Sequence, residues 1–508
     1  MRRICIILTT LFVFAATSSF SQGTVKWAKP QKSSMFKVMT GFTVIGQDDN
    51  AIYVKPKYNV FSELIKCNPK TMTMMAVPYS LKGANGKRDL EFVVMLKGEL
   101  YLFSSLQDKK AKKHILYMQT VNKSTLKLNT TLTKILEVSY VGESDRKPAI
   151  FYYDISPDKS KLLVSYAVID KNRTLLRSGF SVLDDECKTI WEENGISSGL
   201  DARFHFIEFI VDNAANVYFQ GNTTYDKKEL KQGAKNESYV ILCLEKERTP
   251  VPIKMELAGS REFVSQTIAI NDKSELYFVG TFTKDDMRNI LGIYSAKINL
   301  AKQEIDNKQT FDFSEEFLTK GMKESDAKSV RNKLQKGNDF ESYFYNLSDI
   351  EFLDNGSFAI GIEKSYYVVY RSRDGSTTTI HHYGDIVVAN FKQDASMNWI
   401  EKIPRELSLP NFPLGSFGLI TNNNNIHLLY NNMKSSAAIL GVPPNKAKLI
   451  MYSLNADGES SWKELYDSKD EKIVPRPWEI IYSKEDNEIV LMGHKGSKTL
   501  SFTKVKLK

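Results

Sequence analysis

Eight times along this chain a turn rich in Asp, Asn and Gly leads directly into a short strand of β-branched or aromatic residues, and no other feature restricts the fold as tightly. The stretches read GQDDNAIYV, LKGELYLF, SPDKSKLLVSY, DNAANVYFQG, NDKSELYFVG, LDNGSFAIG, TNNNNIHLLY and SKEDNEIVLMG. The strands they open begin near Ala51, Glu99, Lys161, Asn216, Glu275, Ser357, Asn425 and Glu488, spaced by roughly 47 to 80 residues. Each is preceded by another apolar strand (FHFIEFIV, YNLSDIEFL, PWEIIYS) and followed by a third (YVILCLEK, LGIYSAKI, DIVVANF, AKLIMYS, LSFTKVKL). Most units then close with a more polar fourth strand, as in KTIWEEN, VPIKMEL, NWIEKIP and SWKELYD. A four-stranded antiparallel sheet that is apolar on both faces cannot bury itself, whereas a circular stack of such sheets buries all of them. The pattern therefore predicts an all-β chain folded as a single β-propeller of eight four-stranded blades, with seven the alternative.

The eighth unit reaches Lys508 after three strands, which leaves an open edge. The segment TVKWAK near the start has the composition of a closing strand, and its Trp27 matches Trp191, Trp399 and Trp462 in the fourth strands. An N-terminal strand is thus expected to complete the last blade and close the ring, removing an edge that invites aggregation. Helical periodicity is confined to a small insertion at 314–339, where Ala327, Val330 and Leu334 share a face and Gly337 supplies a stop.

Residues 1–21 have the form of a Sec signal peptide: Arg2 and Arg3, then the apolar run from Ile4 to Ala16, then the small-x-small site Ser19-Phe20-Ser21. That run is too short to span a bilayer, and no later stretch is long and apolar enough. No cysteine stands at the cleavage point to carry a lipid. The mature domain is expected to be 22–508 and periplasmic, with extracellular release the alternative, and without the separate C-terminal sorting domain that type IX export would require.

Removing the signal takes away two arginines and no acids, so the formal charge falls from +9 to +7. Lysines and acids alternate throughout and form no basic stripe with interleaved aromatics, so no nucleic-acid partner is expected. Cys67, Cys187 and Cys243 remain, an odd set without a CxxC pair, which argues against a zinc knuckle or a disulfide scaffold. Buried free thiols are expected, with a Cys187–Cys243 pair the alternative.

In a propeller the loops between second and third strands and the links between blades emerge on one face. Every long insertion is of those kinds: 222–238, the helical link, 371–384 and 431–446. This face over blades four to seven is the candidate binding surface. Its candidate contact residues are Tyr225, Arg371, Arg373, His381, His382, Tyr383, Ile439, Leu440, Val442 and Pro443. The apolar run in AAILGVPP suits either a protein contact or a plug over the channel mouth.

Motifs for chemistry are weak. GISSG (195–199) matches a nucleophile-elbow pattern, but it links a β-strand to the next blade and lacks the strand-to-helix turn that would expose Ser197. His381 and His382 are adjacent on a strand, point to opposite sides and cannot easily chelate together. Asp48, Asp49 and Asn50 resemble part of a calcium loop, yet the same turn chemistry recurs before most second strands. No metalloprotease, phosphate-loop or dinucleotide motif is present, and no cofactor or metal is expected. Paired carboxylates on the axis would permit glycan cleavage, but the many acids offer no means of choosing two.

The stretches FSEEFLTKGM, LSDIEFLDNGSFAIGIEKSYYVVYRS, GDIVVANFKQDASMNWIEKIP and SFGLITNNNNIHLLYNN, over about 312–432, resemble an uncharacterised family of secreted bacterial β-propeller proteins. The resemblance implies an envelope-located propeller and assigns no catalytic residues. This chain has STTTIHHYG where that family carries a more aromatic loop. Taken together, the sequence leads to a non-enzymatic, monomeric interaction module that binds a protein partner, an accessory or plug of an outer-membrane secretion (type IX-like) or uptake complex. A glycan-binding or glycan-cleaving propeller is the alternative.

Overall fold

The computed structural model describes residues 25–507 other than 33–41, 57–61, 84–85, 141–147, 170–174, 196–203, 226–227, 230–231, 233–235, 248, 285–289, 337–343, 372–374, 376, 406, 411–415, 433–446, 470, 485 and 496–498. Eight antiparallel sheets follow one another, at 42–78, 89–139, 149–194, 204–255, 261–312, 344–403, 417–467 and 474–506, the first seven running in sequence order from inner to outer strand and the eighth taking its outer strand from the chain start. They form an eight-bladed β-propeller.

The second strands explain why the ring is stable. All six residues of Ala51–Pro56 are buried. Because successive side chains point to opposite faces, Ala51 and Tyr53 pack toward blade two while Ile52 and Val54 pack toward blade eight. The same split recurs in blade four, where Val217 and Phe219 face blade three and Tyr218 faces blade five. One apolar cluster fills every junction between neighbouring blades, including that between blades eight and one, where Val490, Met492 and Phe502 meet Ile52, Val54 and Ile65. Second strands therefore read as continuous apolar runs, as strands covered on both faces must.

The turns that open these strands owe their Asp and Asn to local hydrogen bonding. Asp48 Oδ1 accepts from the backbone N–H of Asn50 and of Ala51, both at 3.0 Å, and Oδ2 accepts from the Tyr53 hydroxyl. Asp212 does the same for Ala214, Asn216 and Tyr218. Side-chain capping of the turn accounts for the acids there.

The chain start closes the ring. Gln31–Lys32 pairs antiparallel with Leu500 and Thr499, and Trp27 bridges Thr503. Ala28 N–H donates to Phe502 O at 2.8 Å, and the hydroxyls of Ser501 and Thr503 donate to Ala28 O and Lys26 O. The tryptophans matched in the sequence share outer-strand positions but differ in surroundings. Trp191 and Trp399 donate to Ala215 O and Ala456 O, Trp27 meets Tyr466 edge-on at 5.4 Å, and Trp462 is largely exposed. Strand position, more than the indole, is what they share.

The helical insertion lies between blades five and six, as expected, but as two helices, Glu315–Thr319 and Glu324–Lys336. Gly321, at φ +78°, separates them. Lys320 pairs with Glu401 at 2.8 Å and Lys402 Nζ donates to Leu318 O, which fastens the insertion to the outer strand of blade six. Ala327 is buried and Val330 half-buried, in line with the expected apolar face. Leu334 and Gly337 have no described placement, since the side chain of the first and the whole of the second lie outside the described residues. Cys67, Cys187 and Cys243 carry free, buried thiols, each pushed up to about 12 by burial.

Candidate functional site

Blade six departs from the repeat. Its second and third strands, Phe358–Arg371 and Thr377–Phe391, run 14 and 15 residues, against 6 to 10 in the other blades. Pairing continues without a break from Ser365↔Tyr383 to Arg371↔Thr377. The insertion read from the sequence as a loop at 371–384 is thus a hairpin arm that begins earlier. Alternating β-branched and aromatic residues in KSYYVVYR against TTTIHHY sustain paired strands well beyond the blade.

The arm is anchored at its root. On one side Leu407–Pro410 pairs with residues 380–383. On the other, the described pairing of the inner strand runs from Leu347↔Ile362 to Phe344↔Ser365, and residues 337–343 ahead of it lie outside the described residues. Tyr367, Val369 and Tyr370 are 58, 49 and 53 % exposed. Tyr367, Val369 and Arg371 lie on one face, opposite His381, Thr379 and Thr377. On the reverse face the His382 ring stacks on Tyr366 at 4.4 Å. The arm thus offers an exposed surface of aromatic and β-branched side chains.

Among the residues singled out in the sequence, the arm brings together Arg371 and His381 on its exposed face. His382 lies on the other face, half-buried. Tyr383 is at the root and buried, with the Arg405 guanidinium 6.0 Å from its ring; Arg405 in turn forms an interior ion pair with Glu363. It holds the arm in place and offers no surface. Tyr225 is half-buried in the fourth blade, its N–H donating to Asn236 Oδ1, away from these strands in sequence. Arg373, Ile439, Leu440, Val442 and Pro443, like Ser197, lie outside the described residues. Sequence reading passed over Tyr367, Val369 and Tyr370, although YYVVY, apolar on both strand faces and longer than a blade needs, was the available signal.

A second feature lines the inner strands. A cavity of about 360 Å³ between blades three and four is bordered by Tyr152, Tyr153, Ile207, Asp154 and Glu208. Asp154 Oδ2 accepts from Val211 N–H at 2.9 Å, and Glu208 Oε2 accepts from Ile268 N–H at 3.1 Å and Gln220 Nε2 at 2.7 Å, so each carboxylate ties its blade to the next. Burial, reinforced by the charges of Glu208 and Asp349, pushes Asp154 up to about 7. Burial and Asp349 likewise raise Glu208, and bring Glu351 up to about 7. Carboxylates from blades three, four and six thus act on one another across the inner strands, a convergence invisible in the sequence. The buried hydroxyls of Ser165 and Ser178 also line the cavity and have no hydrogen-bond partner among the described residues. Among the described residues no group of three or more His, Cys, Asp or Glu side chains is arranged to hold a metal. Among them, too, no helix is long and apolar enough to cross a membrane.

No protein-family model and no curated protein sequence matches the chain. Among solved structures the chain is similar to the Dos1 propeller, at 8 % identity and TM-score 0.43 over 94 % of this chain and 95 % of that one. It is similar to a protein of unknown function from Bacteroides caccae at 10 % identity and TM-score 0.28, over 71 % of this chain and 93 % of the other. It is similar also to the polysaccharide lyase Uly1 at 11 % identity and TM-score 0.39, over 82 % and 90 % of the two chains. Each is a low-identity likeness, and none transfers a residue role.

Proposed function

We propose that this chain is an exported, non-enzymatic β-propeller that captures a protein partner in the bacterial periplasm through the blade-six arm, as an accessory or plug of an outer-membrane secretion or uptake complex. The arm carries the reading: paired strands outrun their blade and expose Tyr367, Val369 and Tyr370. A partner surface laid against these exposed aromatic and β-branched side chains would bury them for affinity, with Arg371 beside them for specificity. The signal-like residues 1–21 and the resemblance over 312–432 support the envelope location. Affinity capture from envelope extract, with the mature chain as bait, tests it. Replacing Tyr367 and Val369 by Ser should abolish co-purification of the partner that the unmodified bait retains; equal capture by both baits refutes the arm's role.

The glycan reading draws on the cavity of blades three and four, where exposed Tyr152 and Tyr153 rings stand beside carboxylates and unpartnered hydroxyls. Aromatic faces with convergent polar groups suit a sugar ring. A specific hit on a glycan array that disappears in Tyr152→Ala would favour it over the arm.

A further inference from the structure

Arg88 lies at the junction of blades one and two, just ahead of the inner strand Asp89–Leu96. It is 8 % exposed. Its Nη2 donates to Gln119 Oε1 at 3.0 Å, and Gln119 is held in that orientation because its Nε2 donates to Asn129 O at 2.7 Å. Nη1 is buried and has no hydrogen-bond partner among the described residues. Beside it is a cavity of about 350 Å³ lined by Lys82, Ser80, Tyr117 and Thr130, and among its described lining residues there is neither Asp nor Glu. A short hairpin pairing Lys82–Gly83 with Gly86–Lys87 borders the space, its glycines presenting backbone where side chains would fill it.

We propose that this junction is an oxyanion-binding pocket, in which Arg88 and Lys82 receive the carboxylate or phosphate group of a small-molecule ligand. A guanidinium withdrawn from water needs an opposite charge as well as hydrogen-bond acceptors. Gln119 supplies one neutral acceptor and no charge. Water at Nη1 would satisfy a hydrogen bond and still leave the charge uncompensated, whereas an oxyanion does both and forms the stronger, charge-assisted bond. Desolvation lowers the Arg88 pKa, and among the described residues Tyr117 is the titratable neighbour acting on it. Lys82, exposed at the rim, adds a second cation where the anion would enter. The hydroxyls of Ser80, Tyr117 and Thr130 can donate to remaining oxygens, and the volume admits a ligand larger than a bare ion. The pocket is distinct from both the arm and the axial carboxylates.

The mature chain is titrated at constant ionic strength with sodium glucuronate, with inorganic phosphate and with glucose, followed by calorimetry and thermal unfolding. Saturable binding of glucuronate or phosphate, with a raised unfolding temperature and no response to glucose, is expected; which anion binds identifies the group recognised. Arg88→Met should weaken that binding at least tenfold, while the unliganded variant unfolds at the same or a higher temperature because a buried charge is gone. Should Arg88→Met fail to fold, Lys82→Ala, altered only at an exposed side chain, is expected to weaken binding several-fold. Anions that leave the unmodified protein unchanged, that bind it no better than glucose does, or that bind both variants as tightly as the original overturn the proposal.

Discussion

Two aspartates, Asp154 within the inner strand of blade three and Asp212 at the turn after that of blade four, differ in what surrounds them. Asp212 is 2 % exposed, yet its carboxylate accepts from two backbone N–H groups, the Asn216 amide and the Tyr218 hydroxyl. Asp154 accepts from Val211 and sits in the fields of Glu208 and Asp349, and burial with those charges brings it up to about 7. A carboxyl that holds its proton more tightly folded than unfolded makes stability fall as pH rises. The fall runs from the ordinary aspartate value near 4 to about 7 and is complete above it. Asp154→Asn keeps an oxygen to accept from Val211 and removes the charge. Its stability relative to the unmodified chain should increase through that window and level off above pH 7, reaching about 1–2 kcal/mol after allowance for solvent in the channel. Denaturant melts of both proteins between pH 5 and 8 measure the gap, and a gap independent of pH would remove the argument. Nothing in FYYDI marks this residue, since its neighbours come from other blades; the turn acids, whose partners lie within a few residues, are legible from sequence alone.

Strands were the readable elements. The eight second strands begin at Ala51, Glu99, Leu162, Val217, Leu276, Phe358, Asn425 and Glu488, within one residue of their expected starts, because turn chemistry and continuous apolar runs are local signals. The blade-six hairpin was legible only as an insertion, since cross-strand pairing between 366–371 and 377–382 is set by partners that a linear reading keeps apart. The exposed and rooted parts of this arm should respond differently to substitution. Tyr367→Ser with Val369→Ser should leave the unfolding free energy within about 0.5 kcal/mol of the original. Tyr383→Ser should lower it by about 3 kcal/mol, as expected for a buried aromatic. At the closing sheet, a Cβ on Gly493 would lie 2.5 Å from the Trp27 ring and 2.9 Å from Ile473. Gly493→Ala should therefore cost about 2 kcal/mol, and much less when combined with Trp27→Ala, which frees the space. Additive effects in that double-mutant cycle would mean that the indole is not what the glycine accommodates.

At the scale of the molecule, apolar clusters at every junction make each blade depend on two neighbours, and the one joining blades eight and one makes the chain a ring. Removing residues 22–32 should leave the strand Thr499–Lys506 unpaired at the rim. Such a truncated chain is expected to self-associate through that edge and to unfold at lower temperature, which size-exclusion chromatography and calorimetry would register; a monomer of unchanged stability would show that closure contributes little. The hydrogen bond from Ser501 to Ala28 links positions 473 residues apart. During synthesis from the N-terminus, the segment that seals the ring is therefore made first and engaged last. It has to stay unentangled while seven sheets form before its partner strand arrives, so the slowest stage of folding should be this long-delayed reunion rather than the formation of any single blade.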